Sequence, residues 1–252
     1  REVTTHVPAQ TALSGKDEDS AAVQDTLPDA EPESVDAFAT KEDEDAIRVY
    51  LTFDDGPSAN TEAILDILDR YQVKATFFVV GKSEDYTPLY QRIVRDGHTL
   101  GMHSYSHRYS EIYAGVEPFL EDVHRLSDML FERTGVRSTI YRFPGGSSNT
   151  VSSVDMTELI SALEKEGISY YDWNVSGYDA DGKTSSVSDI VSNVTENIAG
   201  KENAIVLLHD ANDKTTTVEA LPIIIEKLQS MEHVSILPIT EDTVKIQHIS
   251  IE

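Results

Sequence analysis

The sequence predicts a barrel-like α/β domain of about seven parallel strands, preceded by an acidic N-terminal segment. After about Ile47, short apolar runs alternate with amphipathic stretches, which is typical of repeated β-α units around a parallel sheet. The chain has 252 residues, a length that a single α/β barrel commonly occupies. Several of the apolar runs end in acidic, histidine or arginine residues, as expected at the mouth of a parallel barrel.

The composition of about the first 45 residues does not favour a packed structure. From Arg1 to about Asp45 it is rich in Asp, Glu, Ser, Thr, Ala and Pro and has no apolar period, so we expect residues 1–46 to form a mostly disordered acidic linker. Residues 47–252 then form the folded domain. The linker either holds this domain away from a wall or membrane anchor or is a terminus without a role. Because the first residue is not Met, we expect an upstream signal peptide or anchor to have been removed.

The strands and helices follow from apolar periodicity and from turn residues. The predicted strands are Arg48–Phe53, Ala75–Val80, Thr99–Met102, Thr139–Phe143, Tyr170–Asn174, Ala204–Leu208 and Val234–Pro238. The predicted helices between them are Asn60–Tyr71, Thr87–Asp96, Val116–Thr134, Val154–Glu166, Val187–Ala199 and Thr217–Gln229.

Composition excludes several kinds of partner and site. A formal charge of −25 argues against nucleic acid, since phosphate binding needs clustered Lys and Arg. No run of apolar residues is long enough to span a membrane. The chain has no cysteine, so a tightly held metal needs His and carboxylate ligands. The sequence leaves the oligomeric state open.

Two adjacent acids and two histidines follow predicted strands. Asp54 and Asp55 end the first strand, while His103 and His107 follow the third. A helical turn would place both imidazoles on one side, and two His with one carboxylate leave positions open on a catalytic ion. Alternatively, the acids cap the next helix and the histidines are structural.

His209 follows an apolar run that reads as a buried strand. A histidine at such a strand end can transfer protons near neutral pH, although it could also simply be packed. The remaining histidines lack comparable neighbours and are interpreted as surface or structural residues: His6, His98, His124, His233 and His248.

Five short motifs appear in order between about Val49 and Leu237. They are Thr52-Phe53-Asp54-Asp55-Gly56-Pro57, His103-Ser104-Tyr105-Ser106-His107, Arg142-Phe143-Pro144-Gly145-Gly146, Asp172-Trp173 and Leu207-Leu208-His209-Asp210. This set resembles the polysaccharide deacetylase family, also called the NodB-homology domain or carbohydrate esterase family 4. The resemblance implies a distorted (β/α) barrel over residues 47–252 and removal of acetyl groups from the amino sugars of a polysaccharide.

The resemblance also implies a role for each matched residue. It implies one divalent metal ion, zinc with cobalt or manganese as alternatives, held by Asp55, His103 and His107. Proton transfer is assigned to Asp54 as general base, positioned by Arg142, and to His209 as general acid, oriented by Asp172. The substrate-binding assignments are a backbone N–H of Gly145 for the oxyanion, and Trp173 and Leu207 as walls of the acetyl pocket.

Two motifs depart from the family pattern. Gly145-Gly146 stands where an aromatic residue commonly follows the proline, which alters the sugar groove because a stacking surface is lost and glycine permits other loop conformations. The residues before Asp172 are Ser169-Tyr170-Tyr171, without the acid often found there, so the role of Asp172 is the weaker assignment.

The predicted substrate is peptidoglycan, at N-acetylglucosamine or N-acetylmuramic acid, on the cell surface or outside the cell. Chitin oligosaccharides and acetyl-xylan are the alternatives within this chemistry. A glycan-binding domain without turnover is the alternative outside it, and a hydrolase of small amides is a third.

Overall fold

A computed structural model describes residues 46–180 and 185–251. The predicted acidic linker lies outside these residues, apart from Ala46. Eight strands occur in the described residues: β1 Ile47–Asp54, β2 Thr76–Val79, β3 Thr99–Met102, β4 Ile140–Tyr141, β5 Ser169–Tyr170, β6 Val175–Ser176, β7 Asn203–His209 and β8 Val234–Ile236.

All strand pairs are parallel, in the order β5-β4-β3-β2-β1-β7-β6, with β8 paired to the start of β1. The two edge strands, β5 and β6, are consecutive in the chain. The sheet therefore curls into a half-barrel whose edges are joined by Tyr171–Asn174. The predicted α/β fold, a distorted barrel of parallel strands, is confirmed, and the barrel is open on one side.

The helices lie between the strands, as the periodicity predicts. They are α1 Ala59–Arg70, α2 Thr87–Arg95, α3 Tyr109–Ile112, α4 Val116–Thr134, α5 Met156–Lys165, α6 Val187–Asn197 and α7 Thr215–Ser230. The side chain of Ser58 caps the N-terminus of α1. Helix α4 ends at Gly135, whose φ of 74° lies in the left-handed region that glycine adopts without steric cost. Periodicity does not predict the short helix α3.

One predicted strand, Tyr170–Asn174, is wrong as a single element. The N–H of Tyr171 donates to Tyr141 beside β4, whereas the N–H of Asn174 donates to Ile205 in β7. The chain changes sheet edge between these residues, so it forms two strands instead of one.

Alternation along the strands sorts side chains onto two faces. Val49, Leu51 and Phe53 of β1 pack outward in the large core under the helices. Tyr50 joins a smaller inner cluster, and Thr52 and Asp54 continue its face toward the carboxyl end of the strand. The inner cluster comprises Tyr50, Phe78, Ile140, Tyr171, Ile205 and Ile239. It closes the floor of the half-barrel, so the polar chemistry is confined to the mouth.

The chain after β8 runs along the open side of the sheet. Near the floor, the N–H of Ile239 donates to Oγ1 of Thr76, and the carbonyl of Ile239 accepts from Oγ1 of Thr99. Further along, the carbonyl of Ile246 accepts from the N–H of Asp172. His248 then reaches the rim beside Trp173. No helix in the described part of the chain is both long and apolar enough to cross a bilayer.

Candidate active site

Three predicted ligands converge at the mouth of the half-barrel. Asp55 follows β1, His103 follows β3, and His107 lies four residues further on. One ligand atom from each lies within 4.8 Å of the others. Nε2 of His107 lies 3.2 Å from Oδ1 of Asp55, and Nε2 of His103 lies 3.6 Å from the same oxygen.

The ring of His103 is held with Nε2 facing Asp55. Its Nδ1 lies 2.8 Å from the carbonyl oxygen of Arg142. A carbonyl only accepts, so Nδ1 carries the proton and donates, leaving the lone pair of Nε2 toward Asp55. Burial and the neighbouring His103 lower the pKa of His107, which favours the neutral imidazole that binds metals.

The carboxylate of Asp55 fits a cation. Its Oδ1 is buried and has no hydrogen-bond partner among the described residues, which is costly for a charged oxygen unless a cation compensates it. Burial raises the pKa of Asp55, but His103 and His107 outweigh this effect and hold the pKa below its ordinary value. Two imidazoles and one ionised carboxylate are a donor set suited to zinc with an open position.

The segment between the histidines is a strained loop, so the expected helical turn is wrong. Ser104 and His107 have φ angles of 77° and 51°, in the left-handed region that side chains disfavour. The N–H of His107 donates to Oγ of Ser104 at 2.9 Å. The imidazoles converge because of this loop geometry, since the spacing is not helical.

Asp54 and Arg142 form a buried ion pair beside the triad. Nη1 of Arg142 donates to Oδ1 of Asp54 at 2.9 Å and to Oγ1 of Thr52 at 2.6 Å. The rest of the guanidinium donates to the carbonyls of Tyr171 and Asp172. Oδ2 of Asp54 is left facing the triad, 3.6 Å from Nε2 of His103. Arg142 is fully buried and therefore fixes the carboxylate while compensating its charge.

His209 lies opposite Asp54. The two residues are register partners on the adjacent strands β7 and β1. Nδ1 of His209 lies 2.8 Å from Oδ1 of Asp179, whose Oδ2 accepts from the N–H of His209 and from Oγ1 of Thr217. Burial lowers the pKa of His209, but the hydrogen bond and charge of Asp179 outweigh it, together with Asp54 and Asp55, and raise the pKa to about 9.

The expectation that Asp172 orients His209 is therefore corrected. Asp172 ends the segment beside β4, and its carboxylate accepts from the backbone and hydroxyl of Ser147 and from the N–H of His248. Asp179 follows β6, which borders β7 and so lies next to His209. The predicted single strand Tyr170–Asn174 does not include β6, so no strand end was predicted near Asp179. An acid three residues after the end of β6 is the pattern that would have pointed to Asp179.

The loop after β4 contains Gly145, the residue expected to stabilise the oxyanion. Gly145 is exposed with φ of 78°, and its N–H has no acceptor within the described residues. A Cβ on Gly145 would lie 3.3 Å from the ring and hydroxyl of Tyr109. The ring of Tyr109 also meets His107 edge-on at 5.5 Å. The sequence predicts that a stacking surface is lost at Gly145-Gly146. In the structure, the ring of Tyr109 from α3 lies beside this loop and provides an aromatic surface there.

The two predicted pocket walls lie at different depths. By strand alternation, Leu207 shares the inner face of β7 with Ile205 and His209, and its side chain is largely buried. Trp173 packs over Gly146, where a Cβ would lie 3.0 Å from its ring. His248 meets Trp173 edge-on at 4.9 Å, and its Nε2 contacts the Trp173 carbonyl at 2.7 Å. The interpretation of His248 as a structural residue fits these contacts.

A second buried acid locks the turn that carries Asp55. A Cβ on Gly56 would lie 2.1 Å from Oδ2 of Asp210, so only glycine fits there. The hydroxyl of Thr61 donates to the same oxygen, and Oγ of Ser58 donates to the Asp210 carbonyl. Burial raises the pKa of Asp210 to about 7. Asp210 therefore joins the end of β7 to the turn after β1.

Comparison with known proteins shows which family this chain belongs to. The family model described as polysaccharide deacetylase matches residues 41–167. The catalytic domain of a peptidoglycan N-acetylglucosamine deacetylase from Eubacterium rectale is 38% identical, with a TM-score of 0.76 over 80% of this chain and 92% of that one. A Bacillus cereus peptidoglycan-N-acetylglucosamine deacetylase is 30% identical over 72% of this chain and 81% of that protein.

Other relatives are longer than this chain. The peptidoglycan-N-acetylglucosamine deacetylase PgdA of Listeria monocytogenes is 32% identical over 187 residues, which are 73% of this chain and 36% of that protein. This chain thus spans about a third of the Listeria protein, and several other curated relatives are matched over less than two thirds of their length. The family match, the identities and the shared fold lead to one conclusion: this chain belongs to the polysaccharide deacetylase family.

Proposed function

We propose that this chain is a metal-dependent hydrolase that removes N-acetyl groups from the N-acetylglucosamine or N-acetylmuramic acid of peptidoglycan. The observation that carries the proposal is the unpartnered, buried Oδ1 of Asp55 facing Nε2 of His103 and Nε2 of His107. Residues 47–252 form the catalytic domain in this proposal, and zinc is the preferred ion, with cobalt or manganese as alternatives.

A divalent cation held by Asp55, His103 and His107 would acidify water and polarise the amide carbonyl. Asp54 accepts the proton of the attacking water through Oδ2, which accepts no hydrogen bond from any residue that the structure describes. Arg142 holds the opposite oxygen of Asp54, so the carboxylate stays turned toward the three predicted metal ligands within a buried site.

His209 supplies the second proton. The departing amine must be protonated, because otherwise the tetrahedral intermediate returns to substrate. Asp179 keeps Nδ1 of His209 protonated, so Nε2 is the nitrogen that donates. Asp54 and His209 are register partners at the ends of two adjacent strands, and this proximity supports the proposal that they act as base and acid on the same bond.

The oxyanion and the sugar meet the loop after β4. The free N–H of Gly145 is suited to stabilise the charge that develops on the carbonyl oxygen. The ring of Tyr109 beside it provides an amphipathic surface for a sugar. Leu207 and Trp173 are proposed to bound the pocket for the acetyl methyl group.

The choice of peptidoglycan is supported by the Eubacterium, Bacillus and Listeria relatives, which are peptidoglycan N-acetylglucosamine deacetylases. The substrate places the proposed site of action outside the cell or at its surface. Chitin oligosaccharides, acetyl-xylan, a small amide or a glycan bound without turnover are the competing outcomes.

The test is release of acetate by the zinc-loaded chain from peptidoglycan, chitin oligomers, acetyl-xylan and monomeric N-acetylglucosamine. Fastest release from peptidoglycan supports the proposal, and Asp54→Asn should reduce it by about 10²- to 10⁴-fold. Faster release from another substrate would reassign the specificity. Glycan binding without acetate release, unchanged in the Asp54→Asn variant, would show a non-catalytic domain.

A further inference from the structure

The loop that carries the two histidines is clamped by an acid from a helix outside the site. Asp122 lies in α4, fifteen residues beyond His107. Its Oδ1 accepts from the N–H of Tyr105 at 2.7 Å, and its Oδ2 accepts from the N–H of Ser106 at 2.9 Å. One carboxylate therefore holds two successive amides in the middle of the loop.

Further contacts reinforce this clamp. The guanidinium of Arg125, one turn along α4, lies 3.8 Å above the ring of Tyr105. On the opposite side, the N–H of Gly81 donates to the carbonyl of Tyr105 at 3.0 Å. A Cβ on Gly81 would lie 2.6 Å from the same ring. Tyr105 is thus held between the end of β2 and the helix α4.

The loop needs such a clamp because its own backbone is strained. Ser104 and His107 adopt left-handed φ angles, which persist in non-glycine residues only where the surroundings enforce them. His103 is fixed independently, by β3 and by the carbonyl of Arg142. His107 has no equivalent backbone support from a strand, so its position depends on the residues between it and His103.

We propose that Asp122 is a positioning residue for the metal site: its carboxylate holds the loop from Ser104 to Ser106 in the conformation that brings Nε2 of His107 to Asp55. It acts on the ion through the loop and contacts neither the ion nor the substrate. This inference rests on the proposed metal site. Residues that orient metal ligands commonly affect affinity by about 10- to 100-fold.

The experiment measures zinc affinity of the full chain by competition with a chromophoric chelator, at a temperature where each variant is folded. Asp122→Ala should weaken zinc binding by about 10- to 100-fold, and Asp122→Asn should weaken it less because one amide oxygen can still accept. The matched control is Glu121→Gln, an exposed neighbour on the same helix with no hydrogen bond to the loop in the described residues. Its affinity should equal that of the wild type.

A second measurement separates positioning from general stability. The visible spectrum of the cobalt-loaded protein reports ligand geometry, so Asp122→Ala should change its bands at saturating cobalt, whereas a merely structural role would lower only the melting temperature of the metal-free protein. Wild-type affinity and spectrum in Asp122→Ala would overturn the inference. If the wild type and Glu121→Gln bind no zinc, and His107→Ala makes no difference, the proposed metal site itself fails.

Discussion

Replacing Asp179 with asparagine should lower the pKa of His209, the proposed general acid, so that the ring loses its proton at a lower pH. In the wild type, the pKa of His209 is raised from 6.5 to about 9. Since each pKa unit corresponds to about 1.36 kcal/mol, the surroundings of His209 favour the charged ring by about 3 kcal/mol. Asp179 supplies the hydrogen bond and the nearest charge. A neutral amide at this position cannot replace the carboxylate, because Nδ1 of His209, the N–H of His209 and the hydroxyl of Thr217 are three donors that need acceptors.

Because the pKa of His209 is raised, the effect of the substitution should appear at alkaline pH. A raised pKa keeps His209 protonated, and able to act as an acid, until the pH rises through that value. In Asp179→Asn the pKa falls toward its ordinary value, so the alkaline limb of kcat should move to lower pH by about 1 to 3 units. At pH 8 a ring with the ordinary pKa of 6.5 is only about 3% protonated, so the rate should fall by about 30-fold, and the deficit should shrink as the pH is lowered.

The assay is acetate release across pH 5 to about 10, with the titration of the His209 ring followed by NMR. Asp172→Asn is the matched comparison, because the same chemical change is made at the acid that sequence analysis assigned to this role. It should lower the rate without moving the alkaline limb. If Asp172→Asn moves the limb and Asp179→Asn leaves it in place, the assignment drawn from the structure is refuted.

Two other side chains offer independent tests. Arg142→Lys keeps the charge beside Asp54 but loses the guanidinium bonds to two carbonyls, so the free energy of unfolding should fall by about 3 kcal/mol or more; an unchanged urea midpoint would contradict the buried ion-pair network. Tyr109→Ala removes the ring beside Gly145, so KM for the polymer should rise about tenfold, equivalent to about 1.4 kcal/mol, with zinc affinity unchanged. Tyr109→Phe, which keeps the ring, should retain most of the wild-type KM, and equal KM values for the alanine variant and the wild type would exclude a sugar contact.

The fold was predictable because burial and periodicity act locally. Strand β1 has an outer face of Val49, Leu51 and Phe53 and an inner face that becomes polar at Asp54, and this pattern can be read from the sequence. Parallel strands then bring their carboxyl ends to one mouth, so Asp55, His103 and His107 could be expected to meet. The amphipathic stretches between the strands also predicted most of the helices to within a few residues.

The remainder depended on contacts between segments far apart in the chain. The change of sheet edge after Tyr171 is set by β4 and β7, which lie on either side in space, and no local pattern marks it. The left-handed φ of His107 is likewise enforced by neighbours from β2 and α4, so a spacing of four residues wrongly predicted a helical turn. Tyr109 fills the space beside Gly145 only because α3 folds over that loop.

The proposed reaction depends on one cation held by Asp55, His103 and His107, and anomalous scattering at the zinc absorption edge from crystals grown with zinc tests for this cation most directly. We expect one strong peak within bonding distance of a carboxylate oxygen of Asp55 and of Nε2 of both histidines. No peak at saturating zinc, or a peak held by other residues while these three remain apart from it, would contradict the claim.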